Sequence, residues 1–174
     1  AVGDGTMSVR AIYAGSFDPF TFGHFAIGEA ALSLFGNVVI AVGKNSSKKG
    51  LFDTDQRMEA AKSYWRNKPK GLAFTSFSGL LTDFCEEWAG ERAVIVRGLR
   101  MVSDFESEMT IAAANRKMNP RVSIVFIPTL PDVAFVSSSV VKEIARHTRT
   151  TQNLLPYVPP DVAGELMSRL GARA

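Results

Sequence analysis

The chain has 174 residues, which is enough for one compact domain with a buried core. Its formal net charge is only +3 and its Lys and Arg residues form no dense run, which argues against a nucleic-acid-binding surface. No apolar run approaches the ~20 residues that span a bilayer, and a single cysteine excludes an intrachain disulfide and fits a reducing cytoplasm.

The first six residues are small and polar and lack the apolar core of a signal peptide. We expect residues 1–6 to be the remnant of an expression tag, followed by a single domain over residues 7–174.

Short β-rich runs alternate along the chain with longer segments of helical periodicity. The runs predict strands at residues 9–13, 38–42, 72–77, 93–96 and 123–127. Helices are predicted at residues 23–35, 54–65, 80–88, from a capping box of Ser103 and Glu106 onward, 138–147 and 160–170. Short apolar strands separated by helices indicate an α/β fold, in which a single doubly wound, parallel five-stranded sheet of Rossmann-like type is covered on both faces.

Apolar side chains at helical spacing predict which helix faces pack on the sheet. In the fourth helix, Phe105, Met109, Ala112 and Ala113 are predicted to face inward. Cys85 lies within the apolar stripe of the third helix, so we interpret it as a core residue and not as a nucleophile.

The loop between the first strand and the first helix has the features of a phosphate site. Ligands of doubly wound sheets bind at the carboxyl ends of the strands, and Gly15 allows a sharp turn there. Gly23 and His24 begin the helix, where unpaired N–H groups and the helix dipole favour phosphate. His24 adds a further donor in the same place.

A second polar loop follows the fourth strand. Arg97 and Arg100 flank Gly98 and can direct two guanidinium groups into one cleft for phosphate oxygens. Asp104 and Glu108 share one face of the next helix. That pair suits general acid and base chemistry, a solvated face or a ribose-hydroxyl acceptor, and the sequence leaves these three readings open.

The string from Gly15 to His24 resembles the signature of the nucleotidyltransferase superfamily, in which a Gly-His pair binds the phosphates of ATP. The runs 97–109 and 135–147 are similar to the phosphopantetheine adenylyltransferase family, and the similarity extends over about residues 9–170. The resemblance implies reversible transfer of AMP from ATP to 4′-phosphopantetheine, giving dephospho-coenzyme A and pyrophosphate. It also implies Mg²⁺ bound with ATP without a protein metal site, a homohexamer, and feedback inhibition by coenzyme A.

The same resemblance implies roles for individual residues. It assigns catalysis to His24, Lys48 and Arg97, with His24 stabilising the transition state and Lys48 touching both substrates. It assigns substrate binding to Ser16, Lys48, Leu81 and Arg97. It assigns ATP binding to Ser16, Phe17, His24, Gly98, Leu99, Arg100, Glu108, Val133, Ala134, Phe135, Val136, Ser137, Ser138 and Ser139. Val133 stands where the family usually carries an aromatic residue.

The chemistry explains this set of cations. The attacking phosphate has a second pKa of about 6 and is largely dianionic at neutral pH, so no general base and no covalent intermediate are required. The site must instead hold two anions in line and neutralise the developing charge. Three alternatives remain. The first is a sibling adenylyl- or cytidylyltransferase with another phosphate acceptor, and the second is a non-catalytic sensor of nucleotide or coenzyme A. The third is a nucleic-acid-binding module.

Overall fold

The sheet is fully parallel and five-stranded. The computed structural model describes residues 9–44, 50–89 and 93–171. The strands are β1 (Arg10–Gly15), β2 (Val38–Lys44), β3 (Leu72–Ser78), β4 (Ala93–Leu99) and β5 (Ser123–Pro128). They pair in the order β3-β2-β1-β4-β5, and every neighbouring pair is parallel. The doubly wound sheet predicted from the sequence is confirmed.

Six helices accompany the strands: α1 (Phe22–Phe35), α2 (Thr54–Ser63), α3 (Leu81–Ala89), α4 (Val102–Met118), α5 (Ser138–His147) and α6 (Pro160–Leu170). Short 3-10 helices cover Pro131–Val133 and Thr151–Asn153. The predicted bounds of α5 and α6 are confirmed. The N-cap of α2 is Asp53, whose carboxylate accepts the backbone N–H of Gln56 at 2.9 Å. Within the described ranges, no helix combines the length and apolar content that crossing a bilayer requires.

Alternation along β1 divides the core between the two faces of the sheet. Ala11 and Tyr13 join the cluster under α1 that also contains Trp65, which follows α2. Ile12 and Ala14 join the opposite cluster, where Cys85 of α3 is fully buried. Burial raises the pKa of the Cys85 thiol to about 12, which agrees with its interpretation as a core residue.

A third apolar cluster joins α5 and α6 to the rest of the molecule. It contains Val136, Val141, Leu154 and Leu166, all essentially inaccessible, together with Phe52. Because Val136 immediately precedes the N-terminus of α5, this cluster fixes that end of the helix beside the sheet.

The interpretation of α4 from the sequence was wrong in two respects. The helix begins two residues earlier than predicted: its N-cap is Met101 instead of Ser103, and the Asp104 carboxylate accepts the Met101 N–H at 3.4 Å. Every residue of α4 is described and none is buried; Phe105 is 46% exposed and Met109 is 44% exposed. The helix lies over the β4–β5 end of the sheet, where its contacts include the packing of Phe105 on Phe126 and the ion pair of Glu108 with Arg97.

The chain order of the strands creates a crevice beside β1. The chain runs from β1 outward to β2 and β3, and then returns to pair β4 with the other side of β1, as in Tyr13 opposite Val96. The loops that leave β1 and β4 therefore diverge, and the space between them is where ligands of doubly wound sheets bind.

Candidate active site

A cavity of about 360 Å³ lies at the carboxyl ends of β1 and β4. It joins residues of both strands with the N-termini of α1 and α5. The lining residues are Tyr13, Ala14, Gly15, Ser16, Phe17, Gly23, His24, Ile27, Arg97, Gly98, Arg100, Glu108, Thr129, Val136, Ser137, Ser138 and Ser139. The structure thus brings together most of the predicted site residues from three separate stretches of the chain.

The turn after β1 requires glycine at Gly15. A Cβ atom placed there would lie 2.8 Å from Cε1 of Phe17, closer than side chains tolerate. Phe17 itself has a left-handed backbone with φ of 48° and is buried, packing edge-on against the rings of Tyr13 and His24. The exposed Ser16 is consequently held at the cavity while Phe17 anchors the turn from below.

The N-termini of α1 and α5 are packed against each other. A Cβ atom at Gly23 would lie 2.8 Å from the carbonyl oxygen of Val136, so only glycine permits this approach. Ser137 caps α5 by accepting the Val140 N–H at 3.2 Å, and the Ser138 hydroxyl donates to the Pro19 carbonyl at 2.8 Å. Two helix N-termini, each carrying partial positive charge, therefore border one cavity.

His24 is held by the residue that caps its own helix. Thr21 is the N-cap of α1, and its backbone N–H donates to Nδ1 of His24 at 3.1 Å. The Thr21 hydroxyl lies 3.0 Å from the same nitrogen, and it accepts the backbone N–H of His24 at 3.4 Å. Because Nδ1 accepts these bonds, the proton of the neutral ring resides on Nε2.

The surroundings of His24 keep its imidazole neutral. Burial, and secondarily the positive charge of Arg100, lower the pKa of His24 from 6.5 to about 4. The ring packs against the rings of Phe17 and Phe20, with centroids 5.1 and 5.3 Å away. At neutral pH the site therefore presents an uncharged N–H donor from this residue.

Arg97 and Glu108 form a bidentate ion pair on the wall of the cavity. Nε of Arg97 donates to Oε2 of Glu108 at 2.7 Å, and Nη2 donates to Oε1 at 2.6 Å. The hydrogen bond to Glu108 raises the pKa of Arg97. Asp104 instead pairs with Arg100, Nε to Oδ2 at 3.4 Å, so Asp104 and Glu108 of α4 each contact a different arginine.

A buried carboxylate joins the first loop to two other segments. Asp18 accepts the backbone N–H groups of Leu51 and Phe52, both at 2.9 Å, and pairs with Nζ of Lys142 at 3.4 Å. Asp18 stands inside the motif quoted above, but the sequence reasoning gave it no role.

The sequence reasoning missed other contributors. Thr21 could have been found, because a threonine three residues before His24 has the spacing of a helix N-cap. Tyr13 lines the cavity and has a pKa raised mainly by burial, so its hydroxyl stays protonated. Arg57 donates to the carbonyls of Ser16 and Gly43 at 2.6 and 3.2 Å, and nothing in its local sequence indicates this.

Several predicted site residues lie outside this cavity. Lys48 lies outside the described residues. Leu81 packs partly buried on the core cluster that contains Ala14, and Leu99 ends β4 with its carbonyl accepting the Thr129 N–H. Three others occupy the segment before α5, where Val133 borders a separate apolar depression and Phe135 is 57% exposed: Val133, Ala134 and Phe135.

Within residues 9–44, 50–89 and 93–171, no group of three or more His, Cys, Asp or Glu side chains is arranged to hold a metal ion. The polar groups of the cavity are N–H donors, hydroxyl groups and guanidinium cations, beside one paired carboxylate. Such a donor set fits the oxygens of phosphate and not a bare cation.

The sheet is Rossmann-like, and donors suited to phosphate lie beside β1, at the switch point where the strand order reverses. These features are typical of nucleotide-binding α/β proteins. Similarity to known proteins identifies the class more closely. The family model described as cytidylyltransferase-like matches residues 12–144. Among solved structures, nicotinic acid mononucleotide adenylyltransferase of Plasmodium falciparum, complexed with NaAD, superposes with a TM-score of 0.65 at 15% identity, covering 92% of this chain and 95% of that one. A bifunctional NMN adenylyltransferase/ADP ribose pyrophosphatase of Francisella tularensis gives 0.63 at 14% identity, over 93% of this chain and 50% of that one. The fold is that of the nucleotidyltransferases.

Curated relatives are closer in sequence. The chain is 41% identical over 161 residues to phosphopantetheine adenylyltransferase of Leptospira biflexa serovar Patoc, covering 92% of this chain and 96% of the relative. It is 44% identical over 164 residues to the enzyme of the same name from Heliobacterium modesticaldum, covering 92% of both chains. The chain belongs to the phosphopantetheine adenylyltransferase family.

Proposed function

We propose that this enzyme transfers the adenylyl group of ATP to 4′-phosphopantetheine, giving dephospho-coenzyme A and pyrophosphate in a reversible reaction. One observation carries the proposal: His24, Arg97, Arg100 and the N-termini of α1 and α5 border a single cavity at the sheet switch point. That set of donors suits two phosphate-bearing substrates that repel each other.

The reaction is a direct in-line displacement. An oxygen of the 4′-phosphate attacks the α-phosphorus of ATP, the new P–O bond forms, and the bond to the β-phosphate breaks with its electrons leaving on pyrophosphate. Because the attacking phosphate is already largely dianionic, no side chain removes a proton from it. The protein contributes positioning and charge neutralisation.

His24 stabilises the charge that develops on the α-phosphate. Its Nδ1 is occupied by Thr21, so Nε2–H is the ring donor that remains for substrate. A neutral donor is suited to this place because two arginines already border the cavity, and an added cation would repel them.

We assign the acceptor phosphate to Ser16, Lys48 and Arg97. Glu108 orients the guanidinium of Arg97 by accepting hydrogen bonds from Nε and Nη2. The remaining N–H groups of Arg97 bind phosphate oxygens. Leu81 is assigned to the pantetheine arm, since it packs beside the core cluster that contains Ala14, itself part of the cavity wall.

ATP occupies the remainder of the cavity. The proposed contacts are Ser16, Phe17, His24, Gly98, Leu99, Arg100, Glu108, Val133, Ala134, Phe135, Val136, Ser137, Ser138 and Ser139. The close approach of Gly98 to Ile27, whose Cγ1 would lie 3.0 Å from an added Cβ, leaves a flat wall against which the nucleoside packs. Mg²⁺ enters the site bound to ATP, as the magnesium complex of the nucleotide.

We further propose a homohexamer in the cytoplasm, inhibited by coenzyme A. The unburied helix α4, on which Val102 is 90% exposed and Phe105, Met109 and Ile111 are each more than 40% exposed, supports assembly through this helix. Coenzyme A shares the product's pantetheine and adenylyl parts and would compete for the same cavity.

The test is an acceptor panel. Purified protein with MgATP is assayed for pyrophosphate release with 4′-phosphopantetheine, nicotinamide mononucleotide or nicotinate mononucleotide, and the products are identified by mass spectrometry. We expect turnover with 4′-phosphopantetheine and formation of dephospho-coenzyme A. Turnover only with a mononucleotide would assign the chain to the sibling activity, and ATP binding without turnover on any acceptor would favour a sensor.

A further inference from the structure

Arg57 is a buried cation that the proposed chemistry does not use. It lies in α2, its residue is 8% exposed, and no described carboxylate lies within 4.0 Å of its guanidinium. Burying a charge without a counter-ion is costly, and an apolar residue of similar volume often serves stability at least as well. Packing alone therefore does not account for an arginine at this position, and its hydrogen bonds indicate a further role.

The guanidinium of Arg57 donates to three backbone carbonyls and one side-chain hydroxyl near the carboxyl edge of the sheet. Nη1 donates to the carbonyl of Ser16 at 2.6 Å and to that of Gly43 at 3.2 Å. Nε donates to the carbonyl of Asp53 at 3.3 Å, and Nη2 donates to the Thr54 hydroxyl at 3.2 Å. One planar cation thus joins the end of β2 and the start of α2 to the turn after β1.

The shortest of these bonds reaches the wall of the active site. The Ser16 carbonyl belongs to the peptide that links Ser16 to Phe17, and both residues line the cavity. Phe17 has a left-handed backbone, a conformation that persists only where surrounding contacts enforce it. A cation on the carbonyl also polarises the peptide and strengthens its N–H as a donor.

We propose that Arg57 is a positioning residue for this reaction: from beneath the β1–α1 loop, it fixes and polarises the Ser16–Phe17 peptide against which the ATP phosphates bind. The inference rests on the proposed function, and it assigns a task to a residue that touches neither substrate. It requires the fork shape of a guanidinium, because one nitrogen bridges two carbonyls while the others bind α2.

A groove behind the loop makes the proposal testable by chemical rescue. Arg57 also lines a surface groove of about 260 Å³ between α2 and α6, beside Pro19, Phe52 and Gln56. A guanidinium ion from solvent can therefore reach the space that a shortened side chain would leave.

The experiment compares Arg57→Ala, Arg57→Lys and the control Arg66→Ala, an exposed arginine that follows α2. We expect both Arg57 variants to lose about tenfold or more in kcat/KM for ATP, while Arg66→Ala is unchanged. Millimolar guanidinium or methylguanidinium should restore Arg57→Ala severalfold, and NaCl and urea at equal concentration should not. Arg57→Lys should not recover, because its side chain fills the space.

The alternatives give different results. If Arg57 merely stabilises the fold, the variants lower the Tm, the folded fraction retains its kcat/KM, and guanidinium does nothing; this result overturns the proposal. If Arg57→Ala does not fold, Arg57→Lys with unaltered kinetics overturns it as well. If the wild-type protein turns over no acceptor, the proposed reaction has failed, and ATP affinity measured by calorimetry, with the same rescue, then tests Arg57 separately.

Discussion

The hydroxyl oxygen of Thr21 lies 3.0 Å from Nδ1 of His24, and together with the Thr21 backbone N–H it leaves Nε2 as the ring nitrogen that carries the proton. This is a capping box in which histidine takes the place usually held by Glu or Gln. The same contacts therefore cap helix α1 and orient the His24 ring.

Removing the His24 imidazole should abolish most of the catalysis. The role proposed for His24 is to donate a hydrogen bond in the transition state, so His24→Ala is expected to lower kcat by roughly a hundredfold. Steady-state pyrophosphate release measures this loss, with circular dichroism as the check on folding. Near wild-type turnover in a folded variant would remove His24 from the mechanism.

Thr21 should act through the orientation of His24. Thr21→Val keeps the side-chain shape and removes the hydroxyl, so kcat should fall about tenfold. Thr21→Ser keeps the hydroxyl and serves as the matched control, with activity close to wild type. The two variants are compared well below their melting temperatures, because loss of an N-cap also costs about 1 kcal/mol of stability. Equal activity of the two would contradict the orienting role.

The depressed pKa of His24 predicts a specific pH dependence of stability. The pKa is about 4 in the folded protein and 6.5 when unfolded, so between these values the unfolded chain binds more protons. The contribution of His24 is fully present above pH 6.5 and is lost progressively as the pH falls towards 4. Urea unfolding at pH 5 and pH 7 should show a smaller difference for His24→Gln than for wild type; an identical difference would argue against the shift.

Arg97 and Glu108 should behave as a coupled unit. A double-mutant cycle of Arg97→Lys and Glu108→Gln on kcat/KM should give a coupling energy of about 1–3 kcal/mol, because each residue fixes the other through two hydrogen bonds. The pair Arg100→Lys and Glu108→Gln is the control, since Arg100 contacts Asp104 instead. If the effects of the two substitutions on the free energy derived from kcat/KM are additive in the first cycle, the ion pair does not contribute to activity.

Assembly should depend on the exposed face of α4. Val102→Glu combined with Met109→Glu places two charges on that face, which would be desolvated in an interface. We expect a particle several times the 18.9 kDa subunit for wild type and a smaller species for the variant, with unchanged circular dichroism. Light scattering after gel filtration makes the measurement, with Arg66→Glu, at an exposed position outside α4, as the control. An unaltered mass would place any assembly surface elsewhere.

Local patterns along the chain were sufficient to predict the succession of strands and helices, the parallel sheet and the loops that line the cavity. These follow from local patterns: β1 is a run of apolar residues ending at a glycine, and Gly23 and His24 stand where a helix must begin. Periodicity and turn chemistry act over a few residues, so they can be read along the chain.

The contacts among the side chains of the site could not be predicted from these local patterns. The burial of Arg57 under Ser16, the pairing of Arg97 with Glu108 and the exposure of α4 all depend on contacts between distant segments. The predicted inward face of α4 was wrong because apolar periodicity indicates a face to be covered but does not say what covers it. Long-range packing sets partners, burial and pKa, and these quantities exist only once the chain has folded.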